Sequence, residues 1–200
     1  MASHEHDHAH KGDGPAPLRF GEGVALFLWG LAEASFFFLP PEMLITFIGL
    51  QRRFRAVLTG MGWTLAGALA GALLMFSWGS GTSLKVITAF MGALPDISRA
   101  MVQEVLQALQ TGGGAAALSG IMQLLPSKLF SALAPHAGLG LADYLTWFTL
   151  SQLLWLGLAA ALSLLLGWLW RKLLPAVSVF WPWLVFWAAY LALWFWRLPS

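Results

Sequence analysis

Glu33 and Glu42 lie inside one apolar run of this 200-residue chain, on either side of Pro40-Pro41. A carboxylate near the middle of a bilayer costs about 2.5–3.5 kcal/mol even on lenient insertion scales. A tandem proline also breaks the hydrogen-bond ladder of a helix. Because lipid compensates for neither defect, such a segment has to face protein or an aqueous cavity. We therefore interpret residues 24–50 as a broken, cavity-lining element, which indicates transport.

The composition is that of an integral membrane protein. The chain is 58% hydrophobic and 10% charged, and its mean hydropathy is +0.72. Twelve Trp and fourteen Phe fit aromatic belts at a membrane surface. The absence of Cys excludes disulfides, thiol catalysis and Cys-based metal sites. The sequence contains no hydrolase triad pattern, P-loop or HExxH motif. We therefore predict neither enzymatic activity nor a bound cofactor. The net charge of +2 does not indicate nucleic-acid binding.

Five apolar segments predict an all-α polytopic membrane protein. They cover residues 24–50, 56–78, 115–139, 144–170 and 176–196. We divide the chain into a polar His-rich tail (1–23), a membrane domain (24–172) and a C-terminal transmembrane helix (173–200). Within the membrane domain, residues 79–114 are less apolar, and we interpret them as an amphipathic linker.

The first and third apolar segments each combine an ionisable residue with a central break, at Pro40, Pro41 and Pro126. A leg of about 16 residues rises only ~24 Å, whereas the hydrocarbon core is ~30 Å thick. If all five segments spanned, the strongest basic clusters would lie on opposite sides, against the positive-inside tendency. Those clusters are Arg52, Arg53 and Arg55, and Arg171 and Lys172. We therefore predict two inverted re-entrant hairpins (24–50 and 115–139) plus about three transmembrane helices, with the N-terminus cytoplasmic.

The ionisable residues of the two hairpins are the candidate transport site. Glu33 and Glu42 read as a protonatable pair facing a water-filled cavity. Glu42 also suits the first turn of a helix, where a carboxylate favours the helix dipole. Lys128 can pair with either carboxylate across the hairpins or bind an anionic head group; the alternative is that it snorkels to the membrane surface. Gln123 is predicted to add a polar contact to the substrate.

Glycines predict where helices approach one another closely. Gly67 and Gly71 form a GxxxG motif, which lets two backbones pack tightly. Gly79 and Gly138 are assigned the same packing role. Aromatic residues of the last segment are interpreted as interfacial anchors and lipid contacts, namely Trp181, Trp183, Trp187, Trp194 and Trp196.

The N-terminal tail carries alternating histidines, His4, His6, His8 and His10. Neutral imidazoles can bind Zn²⁺ or Ni²⁺ loosely. Alternating spacing, however, suits neither one face of a helix nor a closed tetrahedral site. A solvated tail without metal is therefore the competing interpretation, and the sequence alone assigns no metal site.

Three stretches resemble the DedA family, also called the VTT or SNARE-associated membrane domain. They are Glu33 to Glu42 with the Pro-Pro turn between them, the Gly67-xxx-Gly71 to Gly79 run, and Pro126-Ser-Lys128 to Pro135-His-Ala-Gly138. Together they cover roughly residues 24–170, and the chain is similar to the short DedA-like branch. It departs from the usual second hairpin, which has two arginines flanking the proline, by having Gln123 at the first position and by shifting the basic residue to Lys128.

The resemblance implies a multi-pass transporter, flippase or scramblase of the inner membrane. Its substrate would be a phosphate-bearing lipid, either a polyprenyl phosphate or a phospholipid. It also implies proton coupling through Glu33 and Glu42 and phosphate contact by Lys128. Two alternatives stay open from the residues themselves: a small cation or metal transporter that uses the His-rich tail, and a membrane scaffold without transport. The sequence leaves homo-oligomer formation open.

Overall fold

The computed structural model describes residues 18–51, 54–95, 97–122, 125–174 and 176–197, without the side chains of residues 121, 122 and 197. Helix accounts for 84% of the described residues, and no strand occurs among them, which confirms the prediction of an all-α chain. The helices are α1 (Phe20–Glu33), α2 (Glu42–Gln51), α3 (Phe54–Gly81), α4 (Leu84–Met91), α5 (Arg99–Gly112), α6 (Ala116–Met122), α7 (Ser127–Leu133), α8 (Leu141–Leu173) and α9 (Phe180–Arg197). Two 3-10 turns, Gly113–Ala115 and Ala134–Ala137, precede α6 and follow α7.

Two helices of the described chain are long and apolar enough to cross a membrane. They are α3, with 28 residues, and α8, with 33 residues. At 1.5 Å per residue they rise ~42 and ~50 Å, which exceeds the ~30 Å hydrocarbon core. The apolar helices α2 and α9 are shorter. By length and composition, the structure thus supports two spanning helices, where the sequence predicts about three.

Close contacts at glycines show that α1 runs parallel to α3. A Cβ at Gly23 would touch the Trp63 indole, one at Gly67 would overlap the Phe27 carbonyl oxygen, and one at Gly71 would lie 2.7 Å from the Leu31 carbonyl oxygen. The residue numbers rise together along the two helices. Because α2 connects the end of α1 to the start of α3, the chain folds back on itself between α1 and α2.

The other contacts connect two halves of the chain, one containing α1, α2 and α3 and the other containing α6, α7 and α8. The helix α1 packs on α3 of its own half, and α6 packs on α8 of its own half. The helix α2 packs on α8, and α7 packs on α3, so each of these crosses to the other half. This pattern of contacts is the one that an internal repeat would give if α1, α2 and α3 corresponded to α6, α7 and α8. It agrees with the repeat that the broken segments of the sequence indicate.

The predicted amphipathic linker forms two helices instead of one continuous element. The helix α4 ends at Met91, and α5 begins at Arg99 after a turn that contains Pro95. Proline lacks a backbone donor and disfavours helix before it, which explains the interruption. Each helix buries one apolar face, including Ile87, Val105 and Leu109, in the core cluster that also holds α7. The linker therefore covers α7.

Candidate functional site

The first helix break is held by hydrogen bonds that close the end of α1. The Ala32 carbonyl accepts from the backbone N–H groups of Ser35, Phe36 and Phe37, at 3.2, 2.9 and 2.7 Å. The Trp29 indole N–H donates across the break to the Leu39 carbonyl at 3.1 Å. These bonds satisfy backbone groups that a plain helix end would leave unpaired, so the break has a defined geometry.

The second helix α2 starts directly after the prolines. The Pro40 carbonyl accepts from Met43 N–H at 3.3 Å, and the Pro41 carbonyl accepts from Leu44 N–H at 3.1 Å. Glu42 is the first residue of α2, so its carboxylate lies at the positive end of the helix dipole. Its side chain is also buried, with 5% of its surface exposed. Both interpretations of Glu42 from the sequence, helix start and cavity lining, therefore apply to the same position.

In its described residues, the second break shares two features with the first. The Leu125 N–H donates to the Gly120 carbonyl at 2.9 Å, which closes the end of α6. Pro126 then occupies the position before the first residue of α7, in extended conformation with φ −60° and ψ 130°. Its carbonyl accepts from Leu129 N–H at 3.1 Å. A proline thus precedes the second helix of each pair.

The two breaks meet through side chains that come from α7. The Ser127 hydroxyl donates to Glu33 Oε1 at 3.0 Å. The Lys128 ammonium donates to the Phe37 carbonyl at 2.7 Å. Each bond joins residues more than 90 positions apart, since the separations are 94 and 91. We call these two bonds the break junction.

Lys128 is one of the most buried side chains of the protein, with 1% of its surface exposed. The alternative that it snorkels to a membrane surface is therefore wrong, because its ammonium points into the fold and not out of it. Burying an ammonium is costly unless strong hydrogen bonds compensate, and the Phe37 carbonyl supplies one of them. Next to it, the Ser131 hydroxyl lies 2.7 Å from Tyr144 Oη of α8, and both side chains are fully buried. The junction is thus tied to the long helix α8.

A cavity of about 130 Å³ adjoins the break junction. A single water needs roughly 10–15 Å³ by this measure, so several fit. Glu33 and Glu42 line it and are close enough to interact electrostatically. The other lining residues come from both breaks, α8 and α9, namely Phe37, Phe38, Pro40, Leu125, Pro126, Ser127, Gln152, Trp155, Tyr190, Leu191 and Trp194. The predicted substrate residue Lys128 is not among the described residues that line this cavity.

The sequence does not predict several of the residues that line the cavity. Gln152 is a buried polar residue of an apolar helix, and such residues mark functional positions in membrane segments, so that signal was available. Ser127 lies between Pro126 and Lys128, which the sequence predicts as site residues. Trp155, Tyr190 and Trp194 had no such signal, because nothing in an apolar aromatic segment tells which rings face inward.

The tryptophans of α9 divide between the interior and the surface. The Trp183 and Trp187 indoles donate to the Thr46 hydroxyl of α2 at 3.2 and 3.1 Å, and Trp194 lines the cavity. These three are therefore not plain lipid contacts as predicted. Trp196 is 82% exposed, in agreement with an outward position. The indoles dock α9 onto α2 at the side of the cavity.

The predicted packing glycines lie at close approaches, with one exception. A Cβ at Gly71 would lie 2.8 Å from the Ala34 Cβ, at the end of α1. One at Gly79 would overlap the Ala132 carbonyl oxygen of α7. Gly138 has open space around its Cα but a φ of +80°, so it serves the left-handed end of the 3-10 turn instead of packing.

Other predicted site residues lie outside the described part of the chain. They are Gln123 and the tail histidines His4, His6, His8 and His10, together with Arg52 and Arg53 of the basic clusters. Among the described residues, no group of three or more His, Asp or Glu side chains is placed to hold a metal ion. Arg171 of the second basic cluster donates to the Leu50 carbonyl at 2.8 Å, which brings the end of α8 to the end of α2.

Comparison with known proteins found no matching family model, no matching curated protein and no matching solved structure. The resemblance to the DedA family therefore stays a prediction from the motifs, and the function has to be argued from the geometry of the break junction and its cavity.

Proposed function

We propose that this protein is a multi-pass inner-membrane transporter that moves a phosphate-bearing lipid between leaflets with proton coupling. The observation that carries the proposal is the break junction. Glu33 and Lys128, two residues that lipid would exclude, meet the opposite break inside a shell of apolar helices. Broken helices whose polar groups converge between two repeats are the pattern of substrate sites in secondary transporters.

The proposed topology has α1–α2 and α6–α7 as re-entrant hairpins that enter from opposite sides, with α3, α8 and α9 spanning. Helix α1 has 14 residues and rises only ~21 Å, too little to cross a ~30 Å core. Its parallel course beside α3 supports a chain that enters and leaves on one side. The Arg171–Leu50 bond supports a common side for the two basic clusters, as the positive-inside tendency requires.

The junction gives a physical route to coupling. Ionised Glu33 accepts a hydrogen bond from Ser127, and a charged acceptor makes a stronger bond than a neutral one. A proton on Glu33 weakens this bond and so loosens one of the two contacts between the hairpins. Lys128, which is 1% exposed, then exchanges the Phe37 carbonyl for a lipid phosphate. Protonation of Glu33 and access of the lipid head group to Lys128 are thereby linked through the Ser127–Glu33 hydrogen bond.

Lipid flux in proteoliposomes tests this mechanism. We expect Glu33→Gln to abolish the response of flux to an imposed pH gradient and Lys128→Ala to abolish flux of a fluorescent phospholipid. Glu104→Gln and Lys85→Ala are matched controls, because both residues are exposed on the linker helices α5 and α4. Transport at the normal rate by both junction variants, with the controls also normal, would refute the mechanism.

Cysteine accessibility tests the topology independently. The chain has no native Cys, so single cysteines at Gly21 and Gln51 need no background removal. Both positions are exposed, at the start of α1 and the end of α2. Labelling of both from the same side supports a re-entrant hairpin. Labelling from opposite sides would make the segment a kinked spanning element and would remove the family resemblance at its clearest motif.

Transport of a small cation is the second candidate. It is favoured by one observation, namely that Glu33 and Glu42 line the cavity whereas Lys128 does not. If the His-rich tail feeds such a pathway, deletion of residues 1–12 changes metal sensitivity of the host cell. A scaffold without transport predicts instead that Glu33→Gln lowers stability and leaves every flux unchanged.

A further inference from the structure

The cavity beside the break junction combines acidic and aromatic walls. Two carboxylates, Glu33 and Glu42, enter it from the first break and the start of α2. Three large rings, Trp155 of α8 and Tyr190 and Trp194 of α9, line the same space. The faces of such rings are electronegative and attract cations. Carboxylates and ring faces thus favour the same sign of charge.

This lining disfavours an inorganic or lipid anion in the cavity itself. The carboxylates would repel a phosphate placed among them, and Lys128, to which the proposed transport assigns the phosphate, is not among the described residues that line the cavity. A bare metal ion fits poorly as well. Among the described residues no three metal-ligating side chains of His, Asp or Glu converge, and aromatic rings provide no oxygen ligands. The cavity also has room for several waters, more than one small ion needs.

We propose that this cavity is a binding site for an organic ammonium cation. The positive charge lies against the Glu42 carboxylate, which lines the cavity and whose ionised form a neighbouring cation stabilises. The alkyl groups of the cation contact the rings of Trp155 and Trp194. Carboxylates with aromatic faces are the recurring way in which proteins recognise quaternary ammonium groups. Gln152 and Tyr190 supply neutral polar contacts for the rest of the ligand.

The position of the site allows two sources of the ammonium group. The cavity is bounded by α8 and α9, which carry many exposed apolar side chains such as Leu154 and Val185. An ammonium borne by a lipid head group reaches it between these helices, and a soluble amine reaches it from water. The chemistry recognised is the same in both cases. The inference goes beyond the proposed transport, since binding is measured without any flux.

Equilibrium binding to the full chain tests the inference. The protein is placed in nanodiscs of phosphatidylglycerol only, whose head group has no ammonium, and titrated with radiolabelled tetramethylammonium. Short-chain phosphatidylcholine and short-chain phosphatidylglycerol then serve as competing probes. We expect saturable binding that Trp194→Leu and Glu42→Gln each weaken about tenfold or more, with Trp194→Phe between Trp194→Leu and the wild type. Trp196→Leu is the matched control, because Trp196 is 82% exposed on the same helix.

Each outcome decides the matter. Binding of tetramethylammonium with the expected order of variants supports a site for free amines. Displacement of bound tetramethylammonium by phosphatidylcholine, with no displacement by phosphatidylglycerol, supports an ammonium borne by lipid. If tetramethylammonium shows no saturable binding, or if a folded Trp194→Leu protein binds it as tightly as the Trp196→Leu control, the proposal is wrong. A wild-type protein that binds ammonium but moves no lipid in proteoliposomes would instead count against the proposed transport.

Discussion

The substitution Gly67→Ala tests the packing of α1 on α3 that positions the break junction. A methyl group at Gly67 would overlap the Phe27 carbonyl oxygen, which is backbone and cannot rotate away. Helix α1 therefore has to shift away from α3. Overpacking of this kind typically costs about 1–3 kcal/mol. Replacing glycine by alanine inside a helix also contributes about 0.5–1 kcal/mol of stability through backbone entropy.

Gly62→Ala separates these two effects. Gly62 lies in the same helix, is exposed, and has no atom within 4 Å of an added Cβ. Alanine at this position therefore increases helix stability without a steric clash. The difference in free energy of unfolding between the two variants therefore isolates the clash, and we expect Gly67→Ala to be less stable than Gly62→Ala by about 1–3 kcal/mol.

Unfolding in mixed micelles, followed by circular dichroism as sodium dodecyl sulfate is increased, measures this difference. Gly71→Ala serves as a second probe, because its Cβ would lie 2.7 Å from the Leu31 carbonyl oxygen. It is expected to follow Gly67→Ala. If Gly67→Ala proves as stable as Gly62→Ala, then α1 does not lie against α3 as described, and the geometry of the junction loses its basis.

Three further predictions address the junction and its surroundings. Glu33→Ala and Ser127→Ala, alone and combined, should show a coupling free energy of about 1 kcal/mol or more in a double-mutant cycle of the same unfolding measurement, because they delete the acceptor and the donor of one hydrogen bond; additive effects would refute the bond. Thr46→Val removes the hydroxyl that accepts from the Trp183 and Trp187 indoles, although Trp183 keeps the Met43 carbonyl as an acceptor, and should make α9 more accessible to protease; an unchanged cleavage rate would show that the bonds to Thr46 do not hold the helix. Tyr144→Phe removes the buried bond to Ser131 and should cost about 0.5–1.5 kcal/mol, and an unchanged stability would contradict that bond.

The sequence predicts helix positions well where composition alone determines them. The apolar segments 56–78 and 144–170 correspond to α3 (Phe54–Gly81) and α8 (Leu141–Leu173). The breaks at the prolines are also predictable, because proline interrupts a helix in any context. The sequence predicts a single linker element, because the amphipathic pattern continues on both sides of the interruption between α4 and α5.

The contacts of the candidate site could not be predicted in the same way. That Glu33 binds Ser127 depends on a pairing of residues 94 positions apart, which local patterns do not encode. The inward orientation of Trp194 has the same origin, because it depends on how α9 docks. An aromatic residue in an apolar helix looks identical from the sequence whether it faces lipid or a cavity.

The exchange of partners between the halves explains why the polar groups lie at the centre of the fold. Each hairpin carries a group that lipid would exclude, Glu33 in one and Lys128 in the other. Each of the two groups has a hydrogen-bond partner across the break junction, since Ser127 follows the second break and the Phe37 carbonyl belongs to the first. Both bonds require the start of α7 to lie against the end of α1, and the packing of α7 on α3 brings these segments together. The polar pair therefore links the assembly of the two halves to the site itself, and any event that removes one charge changes how firmly the halves are held together.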